Sequence, residues 1–389
     1  MNDRDAAGQA PRSVLAALLA ATTLPVMANF CIAPVLAKMQ AHFAAVAYAA
    51  VLTPMVMTLP ALVGTVAAPL SGVVADRVPK RTLLLVATIA FGAIGILPYF
   101  MASLHAILAT RLLLGIAEGT VITCCTALIA EYCQGRLRQQ LYGLQHATMS
   151  VAGILFLLAG GIVGEASWQN PFLLFALGFV VAGVVWTLPR RAAAAPAGRV
   201  HVAFPWKLAA PVLAAAFFGW LFYYLIPAGV PFLLRERGLF STRLAGSASA
   251  AALMASMAGS IGYITLVRFL SARLLLAAAY AAMAAGFAVI AASNGIPALV
   301  AGCIVTGLGF GLVMPNVSVM LLGRVPPETR GRAAGGITMS VLTSVFCTPL
   351  LRLGAARALG GTPAVFGAGA LILAVAAIAL AIAGQRKVA

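Results

Sequence analysis

Along the 389 residues, long apolar runs alternate with short polar or charged interruptions, and no polar stretch is long enough for a separate water-soluble domain. A helix that crosses the hydrocarbon core needs about 20 mostly apolar residues. Runs of that kind lie near 13–37, 47–75, 82–101, 106–131, 140–164 and 170–188. A second set lies near 208–233, 244–267, 272–292, 297–322, 332–351 and 363–384. Between the sets, Pro189 to Lys207 (PRRAAAAPAGRVHVAFPWK) is basic and rich in alanine and proline. The pattern predicts an all-α membrane protein with twelve transmembrane helices. Its expected bundles are residues 1–188 and 208–389, joined by a cytoplasmic linker, 189–207. The first run is too long for a secretory leader and has no isolated cleavage site after it, so it is read as a retained span.

Composition agrees with a lipid environment. Charged residues make up 8% and the mean hydropathy is +1.05, whereas soluble domains carry about 25% charged residues. The net charge of +17 would suit a nucleic-acid binder, but its distribution does not. With the N-terminus inside, 18 of the 25 basic residues fall in cytoplasmic segments. Lys38, Arg235, Arg237, Arg243, Arg352 and Arg357 are expected in outer loops, and Arg111 lies within a span. This bias is the positive-inside signature. It implies a multi-pass protein of the bacterial inner (plasma) membrane with both termini cytoplasmic, whose partners are the lipid bilayer and no nucleic acid. The six cysteines lie in or at the ends of spans, without metal-ligand spacing, and read as small buried side chains.

The two sets repeat at an offset of 192 residues. Gly115 and Gly119 in RLLLGIAEG land on Gly307 and Gly311 in CIVTGLGFG, and Arg138 and Gly143 land on Arg330 and Gly335. Such a parallel duplication predicts two pseudo-symmetric six-helix bundles, related by an axis along the membrane normal, with a cavity between them. The repeat fails at ionisable positions: Arg111 corresponds to Cys303, Glu118 to Phe310 and Glu131 to Gly323. Charge handling is therefore expected in the first half.

The loop after the second run reads Gly72-Val-Val-Ala-Asp76-Arg77-Val-Pro-Lys80-Arg81. It resembles the signature between helices 2 and 3 of the major facilitator superfamily, with Pro79 as a departure. The resemblance implies the major facilitator fold and a cytoplasmic gate made by Gly72, Asp76, Arg77, Lys80 and Arg81. It also implies an acidic partner at the inner end of helix 4, a position occupied by Glu131. Gly72 is expected to permit close helix approach. The corresponding segment of the second half, from Gly262 to Arg273, has basic residues but no acid.

Arg111-Leu-Leu-Leu-Gly115-Ile-Ala-Glu118-Gly119 opens the fourth run. It is similar to a helix-4 signature of the superfamily's twelve-span drug/proton antiporters. Glu118 is the one acid of eight that falls near mid-span, and charges at membrane depth are functional candidates by default. At about 100° per residue, Arg111 and Glu118 share a face about 10 Å apart along the axis. They read as a proton-coupling pair that does not touch directly. A carboxyl bonded to a neighbouring helix and an arginine reaching the outer interface are the plainer alternatives. The glycines of the fifth run (Gly153, Gly160, Gly161, Gly164) lack the Gly-Pro step of those antiporters.

Asn29, Gln145, His146, Tyr223, Tyr224 and Asn316 are candidate substrate-cavity residues, with interhelical packing as the alternative for each; His146 is also a candidate second proton site. No catalytic triad, nucleotide loop or metal cluster is legible, so an enzyme, a metal site and a cofactor are not expected. The implied function is secondary active export of a small organic compound by alternating access with proton antiport, and a monomer is expected, since nothing in the chain calls for a second copy. The substrate would be drug-like, a sugar or a siderophore-type metabolite. The competing reading is a proton symporter or facilitator importing a sugar or organic acid.

Overall fold

The computed structural model describes residues 12–75, 77–132, 135–189, 204–326 and 329–385, and every regular element among them is helical. Backbone amides in hydrocarbon have no water to bond, so apolar runs of this length satisfy them internally as helices. Ten helical stretches have the length and composition to cross a membrane, from Val14–His42 to Thr362–Ile382. Two shorter apolar ones, Ala147–Val163 and Asn170–Trp186, stand where the fifth and sixth spans were expected.

The chain divides into two compact units, Met1–Gly198 and Arg199–Ala389. Unit 1 contains α1 (Arg12–Phe30), α2 (Leu36–His42), α3 (Ala49–Ala75), α4 (Lys80–Ile96), α5 (Leu104–Tyr132), α6 (Gly135–Val163) and α7 (Leu177–Trp186). Unit 2 contains α8 (Trp206–Glu236), α9 (Thr242–Leu266), α10 (Ala272–Ala292), α11 (Ile296–Leu322), α12 (Arg330–Leu359) and α13 (Thr362–Gln385).

The first span is broken, where a single helix over 13–37 was expected. α1 stops at Phe30, a 3-10 turn (Ala33–Val35) with Pro34 near its start follows, and α2 continues to His42. α6 covers the break. A Cβ at Gly160 would overlap the Cys31 carbonyl, and one at Gly164 would strike Val35. These two glycines of the fifth run thus have a packing role: they let a backbone reach a break in its neighbour.

The duplication is visible in packing. A Cβ at Gly115 would lie 2.6 Å from the Pro60 carbonyl and from Val63 on α3. In unit 2 the same test at Gly307 meets the Ala252 carbonyl and Ala255 on α9, each 192 positions on. Gly119 sits against Gly64, Ala67 and Ala68, and Gly311 against Ser256, Gly259 and Ser260, again at that offset. Small residues on both helices allow this approach, and dispersion between close backbones then holds the pair where no hydrophobic drive operates.

One expected boundary is corrected. The eleventh run was ended at 351, with Arg352 in an outer loop. α12 instead continues to Leu359 and stops at Gly360, whose φ of +87° suits glycine. Arg352 therefore lies inside the helix and is 4% exposed. The residues after it, LGAARAL, keep enough apolar character to extend the helix despite the charge. The end of α8 ties this side of unit 2 together. Arg237 donates to the Ile290 and Ala291 carbonyls (3.3 and 3.1 Å) at the end of α10, and Glu236 accepts from the Thr362 amide (2.8 Å) at the start of α13.

Candidate functional site

α5 presents two different faces. Its glycine face lies against α3, where Thr123 Oγ1 also donates to the Ala68 carbonyl (3.1 Å) and the Ser71 and Thr120 hydroxyls bond each other (2.7 Å). Arg111 and Glu118 lie elsewhere on the helix, and both are buried.

Glu118 Oε1 accepts from Asn29 Nδ2 at 3.3 Å. Asn29 stands at the end of α1, just before the break, and also donates to the Pro25 carbonyl (2.9 Å). The second oxygen, Oε2, is buried without a hydrogen-bond partner among the described residues. A carboxyl with one long hydrogen bond and one unoccupied oxygen can take up a proton, or accept a bond from a group that comes to it. This is a chemical opening that ordinary helix packing leaves unexplained.

Arg111 is not paired with Glu118. Its guanidinium donates to the Gly95 carbonyl on α4 (3.2 Å) and lies over the Phe172 and Phe175 rings, 5.2 Å from each centroid. These contacts leave it fully buried. The aromatic segment before α7 thus anchors the cation, a role not recognised in the sequence. The signal was present: Phe172 and Phe175 are spaced three apart in a 3-10 stretch (Asn170–Ala176) that returns to α4.

The gate residues separate into two groups. Asp76 lies outside the described residues. Arg77 is exposed in the turn after α3. Glu131 forms an ion pair with Lys80, the first residue of α4 and one of the basic residues of that loop. Arg81 donates to the Trp186 carbonyl and lies over its ring, 5.3 Å from the centroid, and the Tyr132 hydroxyl donates to the Pro189 carbonyl (3.2 Å). These contacts join the ends of α4, α5 and α7. Gly72 is not a close approach: a Cβ there would meet only Thr123 Cγ2, at an ordinary 3.9 Å. The tight α3–α5 contact is at Gly64, Gly115 and Gly119 instead.

Gln145 is half-buried on α6, and the side chain of its neighbour His146 lies outside the described residues. In unit 2, Tyr223 is buried and stacks on Phe310 with centroids 3.9 Å apart and planes 8° from parallel. Trp220 meets the same ring edge-on at 5.0 Å. Tyr224, which follows Tyr223 in the chain, is also buried. Asn316 is buried; its Nδ2 donates to the Ala272 carbonyl (2.7 Å), tying α11 to the start of α10, and its Oδ1 has no hydrogen-bond partner among the described residues.

A family model described as Major Facilitator Superfamily matches residues 18–339. A search of curated proteins gave no match. Among solved structures, a bacterial homologue of the human lysosomal transporter Spinster, in an inward-facing and occupied conformation, superposes with a TM-score of 0.77 at 15% identity, over 97% of this chain and 98% of that one. A D-xylose–proton symporter gives 0.76 at 13% identity, over 95% and 97%. The human organic anion transporter TETRAN gives 0.67 at 17% identity, over 96% and 100%. At these identities the likeness is one of fold.

Proposed function

The chain belongs to the major facilitator superfamily, and from that premise, which makes it a multi-pass membrane protein for secondary transport of a small molecule, we propose that it is a proton-driven exporter in which Glu118 carries the proton. The observation that carries this reading is the Glu118 carboxyl, buried in mid-helix with one oxygen on Asn29 and the other unpaired. Arg111, about 10 Å along the same helix, supplies a fixed positive charge held by Gly95 and two phenylalanine rings. Proton binding neutralises the only acid of this membrane-embedded pair, and its release restores the anion. A cycle that alternates access to Glu118 therefore links proton entry to substrate exit. The exported compound is small and organic, and a single coupling acid disfavours an obligate dication.

The gate belongs to the same proposal. Asp76 and Arg77 hold the cytoplasmic side closed, while the Lys80–Glu131 pair and the Arg81–Trp186 contact keep the helix ends of unit 1 together. The protein sits in the bacterial inner membrane with both termini and the 189–207 segment cytoplasmic. Reporter fusions at Pro196 and Arg237 should then report opposite sides, and agreement between them would overturn this orientation.

The deciding experiment uses proteoliposomes with an imposed pH gradient and a panel of labelled neutral, zwitterionic and anionic compounds. Wild type should drive at least one compound against its gradient, in the direction opposite to proton flow. Glu118→Gln should lose driven transport and keep substrate exchange, because an amide fixes the neutral state without stopping the conformational cycle. Driven transport by Glu118→Gln at the wild-type rate would remove the proton from this residue, with His146 the next to test. Movement of compound and proton in the same direction would make the protein a symporter.

A further inference from the structure

The end of unit 2 where α8 passes into α9 and α12 into α13 is rich in arginine. Arg235, Arg237, Arg243 and Arg357 stand there against one acid, Glu236, whereas the corresponding connections of unit 1 hold Lys38 against Glu165. These connections share one end of the unit, since Arg237 reaches the last turn of α10 and Glu236 the first residue of α13. In the proposed orientation this end faces away from the cytoplasm, where the positive-inside tendency disfavours basic residues. Arg237 has a structural use as a helix-end donor.

Within the adjoining part of α12 lies Arg352. It is 4% exposed, its Nε is buried without a hydrogen-bond partner among the described residues, and its Cζ stands 3.9 Å from the centroid of the Phe232 ring. Gly229 leaves room for it: a Cβ there would meet Arg352 Cδ at 3.5 Å. Four and eight residues earlier, Thr348 and Ser344 continue the same buried face of α12, and Thr348 donates across to the Leu221 carbonyl of α8 (3.2 Å). The acid at the end of α8, Glu236, has both of its oxygens engaged by Thr362. An aromatic face offsets part of the cost of burying a cation. It does not supply the acceptors that a five-donor guanidinium is shaped for.

We propose that Arg352 recognises an anion: a carboxylate, phosphate or sulfonate group on a small organic molecule, drawn toward it by the arginine-rich end of unit 2. The forked N–H donors match the oxygens of such a group in a bidentate manner, and the surrounding positive charge raises the local concentration of anions. The assignment rests on the transport reading for its consequence, that the carried compound is anionic. Binding itself is measured without transport.

The test uses the full-length protein in phosphatidylcholine nanodiscs at fixed ionic strength. Benzoate, phenyl phosphate and benzenesulfonate are compared with neutral benzamide by titration calorimetry and thermal unfolding. At least one anion should bind wild type and raise its unfolding temperature, and benzamide should do neither. Arg352→Gln should weaken that anion at least tenfold, Arg352→Lys should retain part of the affinity, and Lys207→Gln, exposed at the far end of α8, should stay within about twofold. If Arg352→Gln does not fold, phenylglyoxal labelling of wild type followed by mass spectrometry replaces it, with the bound anion expected to protect Arg352. Failure of all three anions to bind, equal binding by Arg352→Gln, or labelling unaffected by the anion would each overturn the proposal. Adding phosphatidylglycerol should leave anion binding intact; its displacement by that lipid would assign Arg352 to a headgroup and equally overturn it. Anion binding with no gradient-driven transport would sink the proton-coupling reading and leave this one standing.

Discussion

α5 and α11 are the same helix twice, and they differ where chemistry is possible. Each packs two glycines against its partner, α3 or α9, at contacts related by 192 residues down to the individual carbonyls. At the corresponding position on the other face, α5 offers Glu118 to Asn29, and α11 offers Phe310 to the stacked ring of Tyr223. Backbone approach is a shared requirement of both bundles, because neither helix pair could close with a Cβ in the way. The residue at 118 or 310 is under no such constraint. One copy can therefore carry a charge while the other fills the equivalent space with aromatic surface.

The largest effect should come from that position. Gradient-driven transport is expected to vanish in Glu118→Gln and to persist in Phe310→Leu with at most about a tenfold fall, since the lost packing contact is worth about 0.5–1.5 kcal/mol. Parallel transport assays of the two variants check this. If Phe310→Leu uncouples transport as completely as Glu118→Gln, the division of labour between the units is wrong.

How much of this was legible in the sequence depended on whether a feature was local. The helices, their number and the two-fold repeat follow from run lengths and from glycines at one offset, since a spanning helix is specified by its own residues. The position of Glu118 and Arg111 within an apolar 26-residue helix was equally accessible, but burial of the Arg111 guanidinium was not, because a long cationic side chain can also reach along the helix to an interface. Partners were not accessible. Nothing local says that Phe172 and Phe175 would sit under Arg111, that Lys80 would meet Glu131, or that Gly160 would face the break at Cys31. Arg352 was misplaced for a related reason: a charge near the end of an apolar run reads as a boundary, and only packing against Phe232 and Gly229 keeps it inside.

Next in size is the feature the units share. Gly119→Val and Gly311→Val should each lower stability by about 1–3 kcal/mol, the usual range for overpacking a close contact. The loss is read as a fall in unfolding temperature and in monodisperse yield on size-exclusion chromatography. The two values should be similar, because each side chain would enter the backbone of the partner helix. A large loss at only one site would mean that the repeat is retained in sequence without being retained in mechanics.

The gate should separate the units again, more modestly. Asp76→Asn and Arg77→Ala are expected to slow transport about tenfold, equivalent to about 1.4 kcal/mol, with yield unchanged. Arg268→Ala, 192 positions after Asp76, should leave the rate alone, since no acid accompanies it in that segment. Initial rates in proteoliposomes, normalised to inserted protein, distinguish these outcomes. A wild-type rate in either Asp76→Asn or Arg77→Ala would reduce the motif to a stop-transfer loop.

The smallest effect concerns Asn29. Its amide gives Glu118 a hydrogen bond at the long end of the range, 3.3 Å, and has a second acceptor in the Pro25 carbonyl. Asn29→Ala therefore removes a contact to a carboxyl that a buried water can replace in part. A net loss of about 1 kcal/mol, typical of one hydrogen bond, corresponds to about a fivefold fall in transport rate, with the ratio of protons to substrate unchanged. The position 192 residues on is Leu221, which has no acid to serve; Leu221→Met should be indistinguishable from wild type. Measuring rate and stoichiometry together makes the comparison decisive. If Asn29→Ala changes the stoichiometry, Asn29 takes part in carrying the proton, and the polar pair, not Glu118 alone, is what unit 2 lacks.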